Sequence, residues 1–338
     1  MLFKVNSEVS TSLFSWRKCR MDSFLQMYLP NVVEPLEEIY HQGRLLGQGG
    51  FGAVYAGSRK SDGLPVSPQV AFDVQWRGKR LDEPIPLEVA MMTIISLPSP
   101  CENVIKLIDW FVGVDEYIIV LERPDPCLDL HEFCASNGGF LSEDIAKHVL
   151  GQVLRALRHC QDSKILHRDL KPENLLIQTD TLEVKLIDFG CGDVWMDDTY
   201  REFAGTTAYA PPEWFLRREY LAGPATVWSV GVTLFELVCG YLPFRSKRAI
   251  VSGHLKFPPW VSPNCRDLIR QCLTRKVADR LKMEQIELHP WLKQIAQHCD
   301  CPICECMCTL IFRVSQYLIC ILLTVILAGN IANLVDIC

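Results

Sequence analysis

The chain has 338 residues, of which 49% are hydrophobic and 22% charged, and its formal net charge is −6. A chain of this length can bury a sizeable core and accommodate two packed lobes. The modest charge contains no long block of one sign, which argues against the basic face of a nucleic-acid-binding protein.

The first 39 residues mix apolar and charged side chains without a clean period, and we interpret them as a leader of unknown role. Residues 21–40 are compatible with a partial helix, although Pro30 and Pro35 interrupt any long run. The start of the chain contains no uninterrupted apolar core of signal-peptide length. Most of the 16 cysteines are therefore expected to be reduced thiols in the cytosol, buried as small hydrophobes.

Residues 45–55 read L-L-G-Q-G-G-F-G-A-V-Y, which predicts a strand, a glycine-rich turn and a second strand. Glycine lets the backbone approach a phosphate group closely and adopt positive φ. The segment is therefore suited to covering phosphates. A plain β-hairpin is the alternative, because glycine spacing alone is weak evidence.

The next strand fits two registers. Residues 64–66 lead into Ser67, Pro68 and Gln69, whereas a shift of four residues gives V-A-F-D over residues 70–73. Pro68 has no N–H group and would remove a hydrogen bond from an interior strand. Beyond it we predict a helix over residues 86–95 that contains Glu88, and strands over residues 104–110 and 117–121.

Two polar segments further along carry the chemistry. Residues 167–176 read H-R-D-L-K-P-E-N-L-L, and residues 188–190 read D-F-G. Asp169 can accept a proton from a hydroxyl group, and Lys171 can neutralise a transferring phosphoryl group. Asn174 and Asp188 can hold Mg²⁺.

These segments match the signature H-R-D-L-x-x-x-N followed by D-F-G at nearly every position, so the chain resembles a protein kinase. The segments that resemble the Pim family of serine/threonine kinases are E-R-P-D-P at 122–126, R-H-C at 158–160, Y-A-P-P-E-W at 209–214 and V-W-S-V-G at 227–231. The resemblance implies an α+β bilobal fold, with a small β-rich N-lobe over residues 40–121, a hinge over 122–126 and a larger helical C-lobe over 127–295.

Within the C-lobe, apolar residues at three- and four-residue spacing predict helices over residues 142–159, 227–239, 264–273 and 283–288. The family resemblance further implies a buried ion pair between Glu213 and Arg280. It also implies that the activation segment, which lies between Asp188 and Glu213, needs no obligatory phosphorylation.

The resemblance implies sites for ATP and Mg²⁺. Gly47, Gly49 and Gly52 would cover the phosphates, Leu46 and Val54 would lie against the base, Glu122 belongs to the hinge, and Asp129 takes the position of the ribose-contacting acid. Pro124 lacks an N–H group, so adenine would lose one of its usual two backbone hydrogen bonds there.

One expected residue is missing. The pattern V-A-I-K places a lysine on the third strand, where it contacts the α- and β-phosphates and pairs with a glutamate. Here Gln69 takes that position, and the shifted register would place Asp73 there instead. Glu88 takes the position of the pairing glutamate. It is either a carboxylate without its lysine or a solvated charge on a helix.

The predicted function is an ATP-dependent serine/threonine protein kinase, because Lys171 and the Gly205-Thr206 region resemble serine/threonine rather than tyrosine kinases. The alternative is a pseudokinase that acts as a binding or scaffold module. Retention of Asp169, Asn174 and Asp188 favours the enzyme. Protein substrates, no nucleic acid and a monomeric kinase domain are expected. The basic residues 245–248, R-S-K-R, would weaken attraction for arginine-rich peptides.

The tail changes composition abruptly. Residues 299–308 contain five cysteines, which fit a zinc half-site, juxtamembrane palmitoylation, or a misjoined exon without an evolved role. Residues 314–335 carry no charge and are long enough to cross a bilayer as a helix. We favour a C-terminal membrane anchor that leaves the kinase domain in the cytosol, and the alternative is a helix packed on the C-lobe.

Overall fold

A computed structural model describes residues 35–49, 52–71, 86–97, 99–112 and 117–293. Three predictions lie outside these ranges: the leader before residue 35, Asp73 of the shifted register, and the cysteine-rich and apolar tail. The chain divides into two compact units after Leu292, and the fold below is that of the first.

The N-lobe is a five-stranded antiparallel sheet with strand order β1-β2-β3-β5-β4. Its elements are the short helix α1 (Leu36–Ile39), β1 (Tyr40–Gly49), β2 (Gly52–Arg59), β3 (Pro65–Ala71), helix α2 (Leu87–Ile95), β4 (Leu107–Val112) and β5 (Tyr117–Glu122). Strands four and five and the helix around Glu88 are confirmed, with β4 beginning three residues later than expected. Leu36, which we placed in the leader, is buried against this sheet.

The two faces of the sheet pack differently because successive side chains of a strand alternate between them. Val66 and Val120 belong to a small cluster on one face, together with Leu36, Tyr40 and Phe111. Ile119 belongs to the main core on the other face, where Val89 and Met92 of α2 also lie. The helix therefore covers only the second face of the sheet.

Pro68 lies at a gap in the ladder between β2 and β3. It pairs with Val120 in an unbroken β3–β5 ladder. On the β2 side, the ladder pairs Val54 with Gln69 and then Gly57 with Val66, with no pair between them. This gap is consistent with the missing N–H group of Pro68. Gly57 accommodates the ring, because a Cβ there would lie 3.0 Å from Cδ of Pro68.

The C-lobe is mainly helical. Its helices are α3 (Leu130–Ser136), α4 (Glu143–Asp162), α5 (Pro212–Arg217), α6 (Ala222–Cys239), α7 (Lys247–Ser252), α8 (Pro263–Cys272), α9 (Met283–Glu287) and α10 (Pro290–Lys293). The four predicted helices correspond to α4, α6, α8 and α9. Ser142 begins α4 as its N-cap, accepting a hydrogen bond from the N–H of Ile145. Trp228, Phe235 and Trp291 are fully buried at the centre of the lobe.

Short strands hold the polar loops between the lobes. They are β6 (Cys127–Asp129), β7 (Ile165–Leu166), β8 (Leu175–Gln178), β9 (Val184–Leu186) and β10 (Asp193–Val194). One sheet has the order β6-β8-β9, and β7 pairs with β10. These pairings bring the loop after β7 close to the loop after β9. Both sequence segments singled out for chemistry lie in these two loops.

Two further features of the described residues bear on the predictions. The cysteines there are all free thiols, and Cys134, Cys160, Cys239, Cys265 and Cys272 are buried. In the same ranges, α6 alone is long and apolar enough to cross a membrane, but 78% of it is buried inside the protein. We therefore assign α6 to the core of the C-lobe.

Candidate active site

His167 anchors the catalytic loop, residues 167–176, to the D-F-G segment. Its Nε2 lies 2.9 Å from the carbonyl oxygen of Ile187, and its ring meets Phe189 edge-on with centroids 4.9 Å apart. Both side chains are almost completely buried. Because His167 belongs to one loop and Phe189 to the other, this contact holds the two polar loops together.

Asp169 is the best-supported polar side chain of the site. Its Oδ2 lies 2.9 Å from Nζ of Lys171 and accepts a 3.0 Å hydrogen bond from Nδ2 of Asn174. Its Oδ1 accepts a 2.6 Å hydrogen bond from the backbone N–H of Thr206. Lys171 also donates to Oγ1 of Thr206 over 2.8 Å. The Asp169 carboxylate is therefore oriented from both the catalytic loop and the activation segment.

These contacts determine the charge of Asp169. Burial by itself would raise the pKa of this carboxyl group, but hydrogen bonds from Lys171 and Thr206 outweigh it and the pKa lies below its ordinary value. Burial likewise disfavours the Lys171 ammonium, yet the Asp169 carboxylate keeps the pKa of Lys171 above its ordinary value. Both side chains are therefore charged at neutral pH.

Asn174 and Asp188 offer the oxygens that Mg²⁺ prefers. The amide nitrogen of Asn174 donates to Asp169, which turns its amide oxygen away from that contact. Oδ1 of Asp188 accepts from the N–H of Gly190 over 3.1 Å, and Asp188 itself has a left-handed backbone with φ of 63°. The two residues are tied together because the N–H of Ile187 donates to the carbonyl of Asn174. Two ligands fit a Mg²⁺ ion shared with phosphate oxygens better than a fully protein-bound metal. The described residues contain no group of three or more His, Cys, Asp or Glu side chains that could hold a metal ion by themselves.

Arg168 ties the catalytic loop to the activation segment. Its guanidinium lies 3.0 Å from Oδ2 of Asp193 and donates to the carbonyl oxygens of Cys191 and Gly192. Gly205 lies against the same loop at φ of 100°, where a Cβ would come within 2.6 Å of the Arg168 carbonyl. These side-chain and backbone contacts hold the segment against the catalytic loop.

The glycine-rich segment forms the predicted hairpin. Gly47 pairs with Val54, and Gly49 pairs with Gly52 at the end of the ladder. Gly52 has φ of 146°, which favours glycine, whereas a Cβ on Gly47 would meet no atom within 4 Å. The apolar side chain of Leu46 is 43% exposed.

Gln69 lies on strand β3. It pairs with Ile119 of β5, and Ala71 pairs with Tyr117. Since residues paired across a ladder share a face, Gln69 lies on the face that α2 covers. No cation lies at this position of the described sheet. Lys60, a nearby cation at the end of the β2–β3 hairpin, donates to the backbone carbonyl of Glu37.

Glu88 is buried rather than solvated, with 7% exposure, so the interpretation as a surface helix charge is wrong. Its Oε2 accepts a 3.1 Å hydrogen bond from the hydroxyl group of Tyr117. Burial and the negative charge of Asp188 raise the pKa of Glu88 to about 7, although the Tyr117 hydrogen bond lowers it. Among the described residues no ion pair compensates this carboxylate.

Glu122 and Asp129, the residues predicted at the hinge and at the ribose, are carboxylates with structural partners. Glu122 lies 3.0 Å from Nζ of Lys185 and accepts a hydrogen bond from the N–H of Lys106. Asp129 is the N-cap of α3 and accepts a 2.8 Å hydrogen bond from the N–H of Glu132. Both side chains therefore have local structural partners in addition to any contact with a ligand.

Sequence reasoning missed two partners in the site. The sequence places Tyr117 on a strand and indicates for Thr206 a resemblance to serine/threonine kinases, but neither pattern predicts a contact with the site carboxylates. Thr206 is 37 positions from Asp169 along the chain and Tyr117 is 29 positions from Glu88. No local pattern joins residues so far apart, although the alternation of β5 could have placed Tyr117 on the face towards α2.

Comparisons with known proteins agree with this geometry. Residues 40–292 match the protein kinase domain family. The chain is 41% identical over 285 residues to serine/threonine-protein kinase pim-2 of Danio rerio, an alignment that covers 81% of this chain and 91% of the relative. It is 40% identical over 255 residues to serine/threonine-protein kinase prk-2 of Caenorhabditis elegans, covering 74% of this chain and 57% of that protein.

The α+β bilobal prediction is confirmed, since an antiparallel sheet forms the N-lobe and helices form most of the C-lobe. Membership implies the use of ATP and Mg²⁺ and of protein substrates. The chain belongs to the protein kinase family, as a serine/threonine kinase similar to the Pim kinases.

Proposed function

We propose that Asp169 receives the proton of a serine or threonine hydroxyl group while the γ-phosphoryl of ATP is transferred to its oxygen. The observation that carries this proposal is the buried, ionised Asp169 carboxylate, held by Lys171 and by the N–H of Thr206. A carboxylate fixed in this way can orient a hydroxyl group without first having to reorganise.

Lys171 has the second role in the transfer. Its ammonium lies beside Asp169 and Thr206, so a phosphoryl group that approached Asp169 would meet a fixed positive charge. Asn174 and Asp188 would hold Mg²⁺ through their free oxygens. When bound, the metal neutralises charge that develops on the phosphates. The repulsion between the Asp188 and Glu88 carboxylates supports a cation site next to Asp188.

ATP would bind between the lobes. Gly47, Gly49 and Gly52 would cover its phosphates, and the exposed Leu46 with Val54 would lie against the base. At the opposite edge, the hinge residue Glu122 and the helix cap Asp129 would border the adenine and the ribose. The hydrogen bonds that hold Glu122 and Asp129 in place support a preformed edge here.

Gln69 favours a second candidate function, a nucleotide-binding pseudokinase. An uncharged amide cannot supply the ammonium that clamps the α- and β-phosphates, and phosphoryl transfer depends on such positioning. The intact network around Asp169 favours the enzyme, because only catalysis requires a base, a cation and two metal ligands together. We therefore place catalysis first and expect a low rate.

Protein substrates would approach a partly basic rim. Arg245, Lys247 and Arg248 are exposed beside α5, which follows the activation segment, and they form no ion pair among the described residues. Their charge supports weak selection for arginine-rich peptides. A monomeric kinase domain needs no partner residue at this site.

The membrane anchor over residues 314–335 remains a separate proposal that rests on its length and lack of charge. Carbonate-resistant membrane association of the full chain, lost when residues 309–338 are deleted, would support it. A full-length protein that stays in the soluble fraction would contradict it.

A phosphotransfer assay on the full chain with Mg²⁺ and labelled ATP tests the catalytic proposal. Asp169→Asn keeps the shape of the side chain but removes its charge, and should lower turnover about 100-fold to 10,000-fold. Asp180→Asn is the matched control, because Asp180 lies exposed in the turn between β8 and β9.

Turnover that survives Asp169→Asn unchanged would contradict the assignment of Asp169. An unmodified chain that binds MgATP but transfers no phosphate, together with a Gln69→Lys variant that does, would identify the natural chain as a pseudokinase.

A further inference from the structure

The hydrogen bond between Tyr117 and Glu88 joins the N-lobe sheet to the inner side of α2. Tyr117 is the first residue of β5, and Glu88 lies in the first turn of α2. Their atoms Oη and Oε2 are 3.1 Å apart, and both residues are 7% exposed. Water therefore has little access to replace this contact.

The position of Gln69 relates this contact to the missing lysine. Gln69 pairs with Ile119, and Tyr117 lies two residues before Ile119 on the same face. Diagonal neighbours of this kind have Cα atoms about 7–8 Å apart, a separation that a long side chain can span. A lysine at position 69 and the tyrosine at position 117 could therefore both reach the Glu88 carboxylate.

The burial of Glu88 shows why it needs such a donor. A buried carboxylate is costly unless it is hydrogen-bonded or paired with a cation. The Asp188 carboxylate adds repulsion, so removal of the donor would favour movement of α2 out of the cleft. The hydrogen bond from the Tyr117 hydroxyl group therefore offsets part of the cost of burying the Glu88 carboxylate and part of its repulsion by Asp188.

We propose that Tyr117 is a positioning residue, whose hydroxyl group holds Glu88 and α2 against the cleft in place of a lysine at position 69. The inference rests on the proposed function only for its consequence in catalysis. The contact itself belongs to the folded protein without ligands. It predicts that positions 117 and 69 are energetically coupled through Glu88.

A double-mutant cycle on the full chain tests this coupling with Tyr117→Phe, Gln69→Lys and the two combined. The main measurement is amide hydrogen exchange over residues 87–95, without nucleotide or substrate. Tyr117→Phe alone should speed exchange of these amides roughly 10-fold to 100-fold, as loss of a hydrogen bond to a charged group would. In the Gln69→Lys background, the same substitution should change exchange less than about threefold, because the introduced ammonium now holds Glu88.

Tyr40→Phe is the matched control. It also removes a tyrosine-to-carboxylate hydrogen bond of the sheet, from Tyr40 to Asp109, but on the face that α2 does not cover. It should leave exchange over residues 87–95 unchanged. A Tyr117→Phe effect of equal size in the natural chain and in the Gln69→Lys background would overturn the proposal, as would no effect in either background.

The outcomes separate this inference from the proposed function. Coupling without phosphate transfer would keep the positioning role and reject catalysis, whereas transfer without coupling would do the reverse. If Tyr117→Phe does not fold, recovery of folding when Gln69→Lys is added to it supports the proposal. Failure of both Tyr117→Phe and this double variant to fold overturns it. In an active enzyme, Tyr117→Phe should lower kcat and leave the KM for peptide unchanged.

Discussion

Two buried glutamates, one in each lobe, differ in how their charge is compensated. Glu213 and Glu88 are each 7% exposed. Glu213 forms a bidentate ion pair with Arg280, with nitrogen–oxygen distances of 2.7 and 2.8 Å. Within the part of the chain that the structure describes, Glu88 accepts a hydrogen bond from the Tyr117 hydroxyl group and is repelled by Asp188, without an ion-pair partner. The predicted Glu213–Arg280 pair is present, whereas no cation pairs with Glu88 among those residues.

The two halves of the site therefore differ in how their buried charges are compensated. In the C-lobe the charges of Asp169, Lys171 and Arg280 all have close partners, so this half is complete without a ligand. In the N-lobe the buried Glu88 carboxylate has no ion-pair partner among the residues that the structure describes. A substitution at residue 69 should therefore change the binding and positioning of ATP more than it changes the structure of the C-lobe.

The largest expected effect is on stability, from breaking the compensated pair. Arg280→Leu leaves Glu213 buried without a partner and should lower the free energy of unfolding by about 3–5 kcal/mol. Urea titration followed by far-UV circular dichroism measures this loss. Lys276→Met is the control, because its ion pair with Asp279 is exposed and should contribute about 1 kcal/mol or less. Equal losses in both variants would mean that burial of the pair is unimportant.

The next effect concerns the uncompensated carboxylate. Gln69→Lys should raise kcat/KM for ATP about 100-fold or more, because an ammonium fixed beside the phosphates acts where charge develops. Steady-state kinetics at fixed peptide concentration measures the change. Gln42→Lys adds the same charge at an exposed position of β1 and should leave the kinetics unchanged. No gain from Gln69→Lys would indicate that another cation already occupies the clamp.

The pH dependence of stability sharpens the comparison. Because the pKa of Glu88 is raised to about 7, the folded protein binds this proton more tightly than the unfolded chain does. Glu88 should therefore lower the free energy of unfolding by up to roughly 3 kcal/mol as the pH rises from about 4.5 to about 7, with no further change above that.

Denaturant titrations at several pH values, compared between the natural chain and Glu88→Gln, isolate this contribution. The difference between the two proteins should grow across the same pH window. Gln69→Lys should reduce it, since an added cation lowers the pKa of Glu88. A difference independent of pH would mean that Glu88 is ionised throughout the range.

The smallest expected effect lies at the basic rim. Replacing Arg245, Lys247 and Arg248 by Glu should raise kcat/KM for an arginine-rich peptide, because the rim would then attract the peptide instead of repelling it. The gain should be only about threefold to tenfold at low salt, because these side chains are exposed and screened by ions. The gain should shrink at high salt, and Arg201→Glu, at an exposed residue of the activation segment, serves as the control. A gain that persists at high salt would argue against a long-range charge effect.

Most of the predictions from the sequence rested on residues that are close together along the chain. The catalytic segment, the D-F-G segment and the glycine hairpin were each readable because their residues are adjacent in sequence. The helices of the C-lobe followed from apolar spacing, and the observed bounds of α6, α8 and α9 differ from the expected ones by at most five residues at either end. Short-range geometry determines such features, so a single sequence contains enough information to predict them.

The sequence by itself determined that this chain is a kinase-like protein without a lysine at the expected place, because those residues form contiguous motifs. Only the tertiary structure decided that Gln69 lies on the face of β3 that α2 covers, and that Glu88 is buried against Tyr117. Strand register and helix docking bring together residues that are distant along the chain. Their energies depend on burial and on neighbouring charges, which no local pattern records.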